Sequence, residues 1–170
     1  MKRIFALGFV VGLAIQASLG AKGLTTRITI ADQGLETSID ITDPILLGRF
    51  NVWDGRGTFA TVDGGETEGT QGFIIDWLAG AIGSRPQGLR RYEVRFYVRD
   101  HNTTADELAY VVFYERDPSS REGFVYLPGK SDEPYQLNVR AIYRGPGFEG
   151  NWFRASPAWQ DAVEQVTGAR

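Results

Sequence analysis

Cysteine is absent from this chain of 170 residues, and histidine occurs once, as His101. Without cysteine there is no disulfide framework, no thiolate nucleophile, no thiolate-bound metal and no cysteine for bacterial lipid anchoring. A single histidine excludes a metal site built from several histidines. The sequence also lacks a Gly-x-Ser-x-Gly elbow, a His-Glu-x-x-His motif and a phosphate loop. Most common catalytic frameworks are therefore excluded.

A strong excess of either charge is also missing. The chain has 18 basic and 21 acidic side chains, a formal charge of −3, and 42% hydrophobic residues. This balance gives no electrostatic support for binding to nucleic acid. The apolar share is sufficient for a folded core, and the length suits one domain. We expect residues 21–170 to form a single β-rich domain.

The first 20 residues have the features of a secretory signal peptide. Lys2 and Arg3 precede an apolar run over residues 4–15, and small residues end the segment. As a helix this run covers about 18 Å, too little for a bilayer core of about 30 Å. We expect cleavage near Gly20 and Ala21, no membrane span in the mature form, and a secreted or periplasmic location. A buried N-terminal helix or an uncleaved anchor is the alternative.

Alternating polar and apolar residues predict antiparallel strands. The clearest case is residues 90–99, which with residues 107–115 predict a long hairpin, the second strand being apolar on both faces. Residues 123–127 predict a third strand beside it. Further strands are expected over residues 25–30, 35–41, 58–62, 72–78 and 135–143.

Two helices are predicted from their first residues. Asp43-Pro44 and Ser156-Pro157 each combine an N-cap residue with proline at the first helical position. We therefore expect one or two helical turns over residues 45–50 and an amphipathic C-terminal helix. The fold class is all-β, as an antiparallel β-sandwich or partly open barrel with these two helices.

Two predicted loops, residues 63–69 and 79–89, are long enough to suggest a function. The first contains Asp63, Glu66 and Glu68 among glycines, and such oxygen ligands suit calcium. A solvated turn explains the same residues. We expect no cofactor, with calcium as the alternative.

Tryptophan beside carboxylate is the pattern most typical of a ligand site in this chain. Trp53-Asp54 and Asp76-Trp77 each join an indole to a carboxylate, as carbohydrate-binding modules do when a sugar ring stacks on an indole. Core packing of the indoles is the alternative. The same carboxylates, with Glu66 and Glu68, also suit a small hydrolase if two of them converge.

Three arginines share the polar face of residues 90–99, namely Arg91, Arg95 and Arg99. They form either an anion-binding stripe or ion pairs across strands with Glu107 or Glu115. The ion pairs are the favoured interpretation.

Six short segments carry a likeness to a known group. They are IDITDP (39–44), RFNVW (49–53), GFIIDW (72–77), RYEVRFY (91–97), VYLPGK (125–130) and GNWF (150–153). With these segments the chain resembles small uncharacterised secreted proteins of environmental bacteria. The resemblance implies bacterial export and brings no catalytic residue with it.

These observations predict a non-enzymatic, exported, soluble β-domain that binds a ligand at the cell envelope or outside the cell. Its ligand face is expected in the loops 51–56, 63–69 and 76–89. A carbohydrate-binding module is the sharper form of this prediction, and a carboxylate-based hydrolase is the alternative from another class.

Overall fold

A computed structural model describes residues 23–33, 37–57, 59–62, 65–68, 73–100, 103–117, 119–120, 122–145 and 147–168. For residues 59–62 and 65–68 it describes the backbone. The predicted signal peptide and His101 lie outside this part of the chain.

The described residues contain a seven-stranded antiparallel sheet and a separate two-stranded hairpin. The order in the large sheet is β2-β1-β6-β7-β8-β9-β5, and β3 pairs with β4. The sheet is open, with β2 and β5 at its edges. The strands are β1 (Leu24–Asp32), β2 (Ser38–Ile41), β3 (Phe59–Val62), β4 (Gly65–Glu68), β5 (Ala81–Ile82), β6 (Arg90–Arg99), β7 (Glu107–Arg116), β8 (Gly123–Tyr126) and β9 (Trp152–Arg154).

The predicted all-β class with antiparallel pairing is confirmed. Its basis is the two-residue period, because alternate residues of each strand face the core. One row across the sheet illustrates this: Ile41 pairs with Ile28, Ile28 with Phe96, and Phe96 with Tyr110. All four are at most 2% exposed.

Three helices occur in the described chain: α1 (Pro44–Arg49), α2 (Tyr135–Ala141) and α3 (Pro157–Gly168). The predicted helical turn and C-terminal helix are confirmed as α1 and α3. The Asp43 side chain accepts hydrogen bonds from Ile45 N at 2.7 Å and Leu46 N at 3.3 Å, as an N-cap should. Trp159 of α3 packs edge-on against Phe50, with ring centroids 5.1 Å apart.

The strand predicted over residues 135–143 is wrong, because most of this segment forms α2. Its apolar residues alternate as in a strand, but the chain before it turns, with Tyr135 N donating to Asp132 O at 3.1 Å. The helix then continues through Asn138 N to Pro134 O at 3.0 Å. Local turn formation and a tertiary contact of Asn138 decide against the strand.

The strand predicted over residues 72–78 is also wrong, and two predicted loops contain short strands. Residues 73–78 bend rather than extend, and Ile75 forms a single bridge with Ala155. The reason is Asp76, whose Oδ1 accepts from Leu78 N and Ala79 N and closes a turn. In addition, residues 65–68 and 81–82 form β4 and β5 within the segments expected to be loops.

The Asn138 side chain joins α2 to the sheet, because it makes hydrogen bonds to β7 that a neighbouring strand would otherwise make. Beyond Phe113, which pairs with Tyr126, β7 has no further partner residue in β8. There the Asn138 side chain accepts from Val111 N at 2.8 Å and donates to Val111 O at 2.7 Å. Asn138 is 2% exposed and Val111 3% exposed, so neither peptide group can turn to water instead.

Asn138→Ala should therefore lower the free energy of unfolding by about 2–4 kcal/mol, because it leaves two buried peptide groups unpaired. Urea unfolding followed by circular dichroism measures this loss. Gln136→Ala, an exposed change on the same helix, is the matched control and should stay within about 0.5 kcal/mol of the wild type. Equal effects of the two variants would contradict the assignment.

Tyr114 makes stability depend on alkaline pH. Burial raises the pKa of Tyr114 to about 12, whereas an unfolded tyrosine ionises near pH 10.0. Between these values the unfolded chain releases a proton that the folded chain keeps, so stability falls as pH rises. In this range the free energy of unfolding of Tyr114→Phe should fall less steeply with pH than that of the wild type, by up to about 1.4 kcal/mol per pH unit. Unfolding between about pH 9 and about pH 11 tests it, with exposed Tyr143→Phe as the control.

Candidate functional site

The four residues predicted to bind a ligand line two different clefts. Trp53 and Asp54 lie in a cleft of about 420 Å³ between the start of β1 and α1. Asp76 and Trp77 lie in a second cleft of about 390 Å³ between the end of α1 and the start of α3. The two indole–carboxylate pairs therefore do not form one site.

Trp77 is a core residue and not the stacking platform that the sequence suggested. It is 2% exposed, and its ring centroid lies 5.5 Å from that of Phe153 and 6.2 Å from that of Phe73. Its indole also lies against Gly55, where the backbone has φ +100° and a Cβ would collide with Nε1. With both faces packed, the ring has none left for a sugar.

Trp53 and Asp76 are held by contacts within the chain. Trp53 Nε1 donates to Gly23 O at 2.7 Å, and its half-buried ring packs on the core. Asp76 Oδ1 caps the turn at residues 78–79. Trp53 therefore holds the start of β1, and Asp76 stabilises the 73–79 segment.

The calcium candidates are only partly described. Asp63 lies outside the described residues, while Glu66 and Glu68 stand on β4 opposite Thr61 and Phe59. Within the described ranges no group of three or more carboxylate, histidine or cysteine side chains is placed to hold a metal ion.

Each arginine of the predicted stripe has a carboxylate partner. The cross-strand pair of Arg91 with Glu115 is confirmed, with Nε and Oε1 3.0 Å apart. Glu115 is unexpectedly buried, at 4% exposure, and burial raises its pKa although Arg85 and Arg91 act against the shift. The other two pairs are Arg95 with Glu93 on the same strand and Arg99 with Asp106.

Arg144 is a buried charged residue that no sequence pattern indicated. It is 3% exposed. Its guanidinium donates hydrogen bonds to main-chain oxygens of the 51–57 loop. Nη1 donates to Asp54 O at 3.2 Å and Arg56 O at 2.9 Å, and Nη2 to Val52 O at 3.0 Å. Its Cζ lies 4.7 Å from the centre of the Phe73 ring. Arg144 therefore fixes the loop that carries Trp53 and Asp54.

The largest of the described clefts, about 510 Å³, lies elsewhere, and we call it the tyrosine cleft. Three tyrosines line it, coming from the end of β8, the start of α2 and the segment after α2. The turn 129–131, Gly145 and the turn 147–150 complete it. The lining residues are Tyr126, Gly129, Lys130, Ser131, Tyr135, Tyr143, Gly145, Glu149 and Gly150.

Close backbone contact between the two turns forms part of the tyrosine cleft. Gly150 N donates to Leu127 O at 2.7 Å, and a Cβ on Gly129 would stand 2.8 Å from Gly150 Cα. Asp132 Oδ2 accepts from Gly129 N at 2.7 Å and from Tyr126 Oη at 2.8 Å. Burial, and then this bond to the carboxylate, raise the pKa of Tyr126. The phenol therefore stays neutral and fixed in position at neutral pH.

Glu149 is the carboxylate among the described lining residues of the tyrosine cleft. Its Oε1 accepts from Arg144 N at 2.7 Å. Its Oε2 is buried and has no hydrogen-bond partner among the described residues. A buried acceptor without a donor costs free energy.

The sequence offered a weak signal for this cleft. Gly and Pro cluster in residues 128–134 and 145–150, and tyrosines stand beside both clusters. The strand assigned to residues 135–143 hid the signal, since it placed Tyr135 and Tyr143 on one extended segment.

Comparisons with known proteins give no family for this chain. No protein-family model matches it, and neither curated proteins nor solved structures give a significant match. In the part of the chain that the structure describes, no helix is both long and apolar enough to cross a membrane. The function is therefore inferred from the clefts themselves.

Arg144→Lys should lower the free energy of unfolding by about 2–4 kcal/mol, because one ammonium cannot reach three separate carbonyl oxygens. Chemical denaturation measures the change, and Trp fluorescence reports the environment of the loop. Arg140→Lys, at an exposed position of α2, should change stability by less than about 0.5 kcal/mol. A fully stable Arg144→Lys protein would show that the carbonyl contacts contribute nothing.

Proposed function

We propose that this protein is an exported, non-catalytic binding domain that takes up a carbohydrate in the tyrosine cleft. The observation that carries the proposal is the convergence of Tyr126, Tyr135 and Tyr143 in one open cleft of about 510 Å³. Volumes of this size suit ligands of one to a few rings.

The chemistry of the lining supports a sugar. Tyrosine offers an apolar ring face for the C–H groups of a sugar and a hydroxyl at the ring edge for hydrogen bonds. Tyr143 is 56% exposed and has ring surface available for such a contact. Ser131 adds a hydroxyl that can form a hydrogen bond with a sugar hydroxyl.

The charge of the lining favours a neutral ligand. Among the described lining residues there is one basic side chain, Lys130, and one acidic side chain, Glu149. A phosphate or a polyanion is normally held by several cations, and a cation by several carboxylates. With one charge of each sign, the cleft suits a polyhydroxyl compound without net charge.

Export supports the same proposal. Lys2, Arg3 and the apolar residues 4–15 predict a secreted or periplasmic protein. Carbohydrates are abundant ligands in those compartments. The ligand face thus moves from the predicted loops to the tyrosine cleft, while the predicted class of function stays the same.

The hydrolase alternative has less support. A glycosidase needs two carboxyl groups facing one bond, about 5–10 Å apart. Glu149 is the carboxylate of the described tyrosine-cleft lining, and Asp54 and Asp76 line separate clefts. No described cleft brings two of the predicted catalytic carboxylates together.

The test is binding to a glycan array, followed by titration of the best ligand by calorimetry. Tyr143→Ala should weaken binding about tenfold or more, equivalent to about 1.4 kcal/mol, with an unchanged melting temperature. Tyr143→Phe keeps the ring face and should lose less. Leu78→Ala, which removes an exposed apolar side chain outside the cleft, is the control.

Two results would overturn the proposal. One is the absence of any bound glycan on an array of neutral and charged structures. The other is a bound glycan whose affinity is unchanged in both Tyr143→Ala and Tyr135→Ala.

A further inference from the structure

A buried ion pair between Arg85 and Glu115 lies on the outer face of the sheet, opposite the core. Glu115 alternates with the core residue Tyr114 and so points outward, yet it is 4% exposed. It is covered by Arg85, which reaches it from the loop 83–89 between β5 and β6. Arg85 Nη1 lies 2.9 Å from Oε2 and Nη2 lies 3.1 Å from Oε1. The Nη2 contact is a hydrogen bond, whereas the Nη1 contact is an ion pair only, because Oε2 has no hydrogen-bond partner among the described residues.

Trp152 completes the surroundings of the guanidinium. The Cζ atom of Arg85 stands 4.2 Å from the centre of the Trp152 ring. A guanidinium over an indole face gains both cation–π and stacking attraction. Trp152 thus contacts the face of the guanidinium, while Glu115 contacts its terminal nitrogens.

The loop that supplies Arg85 is otherwise loosely attached. Gly83, Ser84, Pro86, Gln87 and Gly88 are all exposed, while Arg85 itself is half-buried. Gly88 has φ +76°, and a Cβ at Gly83 or Gly88 would meet nothing within 4 Å. Apart from Arg85, this loop therefore has little close packing, and glycines stand on both sides of Arg85.

The remainder of the arrangement belongs to the sheet. Arg91 of β6 also contacts Glu115, and its Cζ lies 4.8 Å from the Phe113 ring. Arg91, Phe113 and Glu115 are held by the pairing of β6, β7 and β8, and Trp152 by the pairing of β9 with β8. If the loop leaves, Glu115 and Trp152 keep their positions.

We propose that Glu115 and Trp152 form a guanidinium-binding site that Arg85 closes from within the chain, and that an arginine side chain of a partner protein binds there when the 83–89 loop moves out. One hydrogen bond and one ion-pair contact to the carboxylate, together with the ring contact, favour a planar guanidinium over an ammonium. The exchange replaces one cation by another, so the charge around Glu115 does not change. The proposal for this site does not depend on the function proposed for the tyrosine cleft.

Arg85→Ala opens the site and permits a direct test with ethylguanidinium and ethylammonium. The Arg85→Ala protein should bind ethylguanidinium saturably and about tenfold or more tightly than ethylammonium, as followed by the indole N–H resonance of Trp152. The double variant Arg85→Ala with Glu115→Gln should lose this binding. Arg154→Ala, which removes an exposed arginine paired with Glu122 at the surface, should gain none. Arg85→Gln serves as a second variant that keeps part of the stem packing.

A tripeptide of acetylated Gly-Arg-Gly amide distinguishes a partner's arginine from a free guanidinium compound. It should bind Arg85→Ala about tenfold more tightly than the wild type, because the internal competitor is gone, and the lysine tripeptide should bind neither. Equal affinity of wild type and Arg85→Ala would overturn closure by Arg85. Binding of ethylguanidinium without the tripeptide would overturn the partner arginine. No saturable binding to Arg85→Ala, or equal binding of both small cations, would overturn the site itself.

Discussion

The buried guanidinium of Arg144 is the constraint on which the placement of the 51–57 loop, β7 and the segment after α2 depends. A charge at 3% exposure is costly to desolvate, and here carbonyl dipoles and aromatic rings offset that cost. Nε approaches Tyr110 Oη at 3.3 Å on β7, while the other nitrogens bind the 51–57 loop. Gly57, at φ +76°, has no room for a Cβ against Arg144 O. The loop, the central strand and the segment after α2 are therefore fixed relative to one another by one side chain.

Much of the sheet was predictable because its signals are local. The alternation in residues 90–99 and the N-cap at Asp43 need no information from distant residues. The segment 135–143 was not predictable in the same way, since Asn138 meets a peptide group 27 positions earlier in the chain. Arg144 reaches carbonyls about 90 positions away, which no local pattern encodes. Local turns at Asp132 and Asp76, together with the long-range contact of Asn138, thus account for the two wrongly predicted strands.

The candidate sites were less predictable than the fold. An indole beside a carboxylate does not reveal burial, and Trp77 is placed in the core by contacts with Phe73 and Phe153. The tyrosine cleft is assembled from three separate segments. A continuous row of rings links it to the guanidinium site: Tyr126 stands 5.0 Å from Trp152, on which Arg85 rests. The two clusters thus share one rigid aromatic layer on the sheet.

The paired hydrogen bonds of Asn138 have a consequence for the behaviour of the protein among other molecules. A strand that extends beyond the end of its neighbour presents unpaired peptide groups. These can pair with a strand of another chain and start aggregation. On β7 the Val111 peptide groups are already occupied by the Asn138 amide. A side chain cannot extend into a further strand, so pairing ends there. In a chain without disulfides, this single amide protects the central strand from intermolecular β-sheet growth at the point where the sheet itself leaves it uncovered.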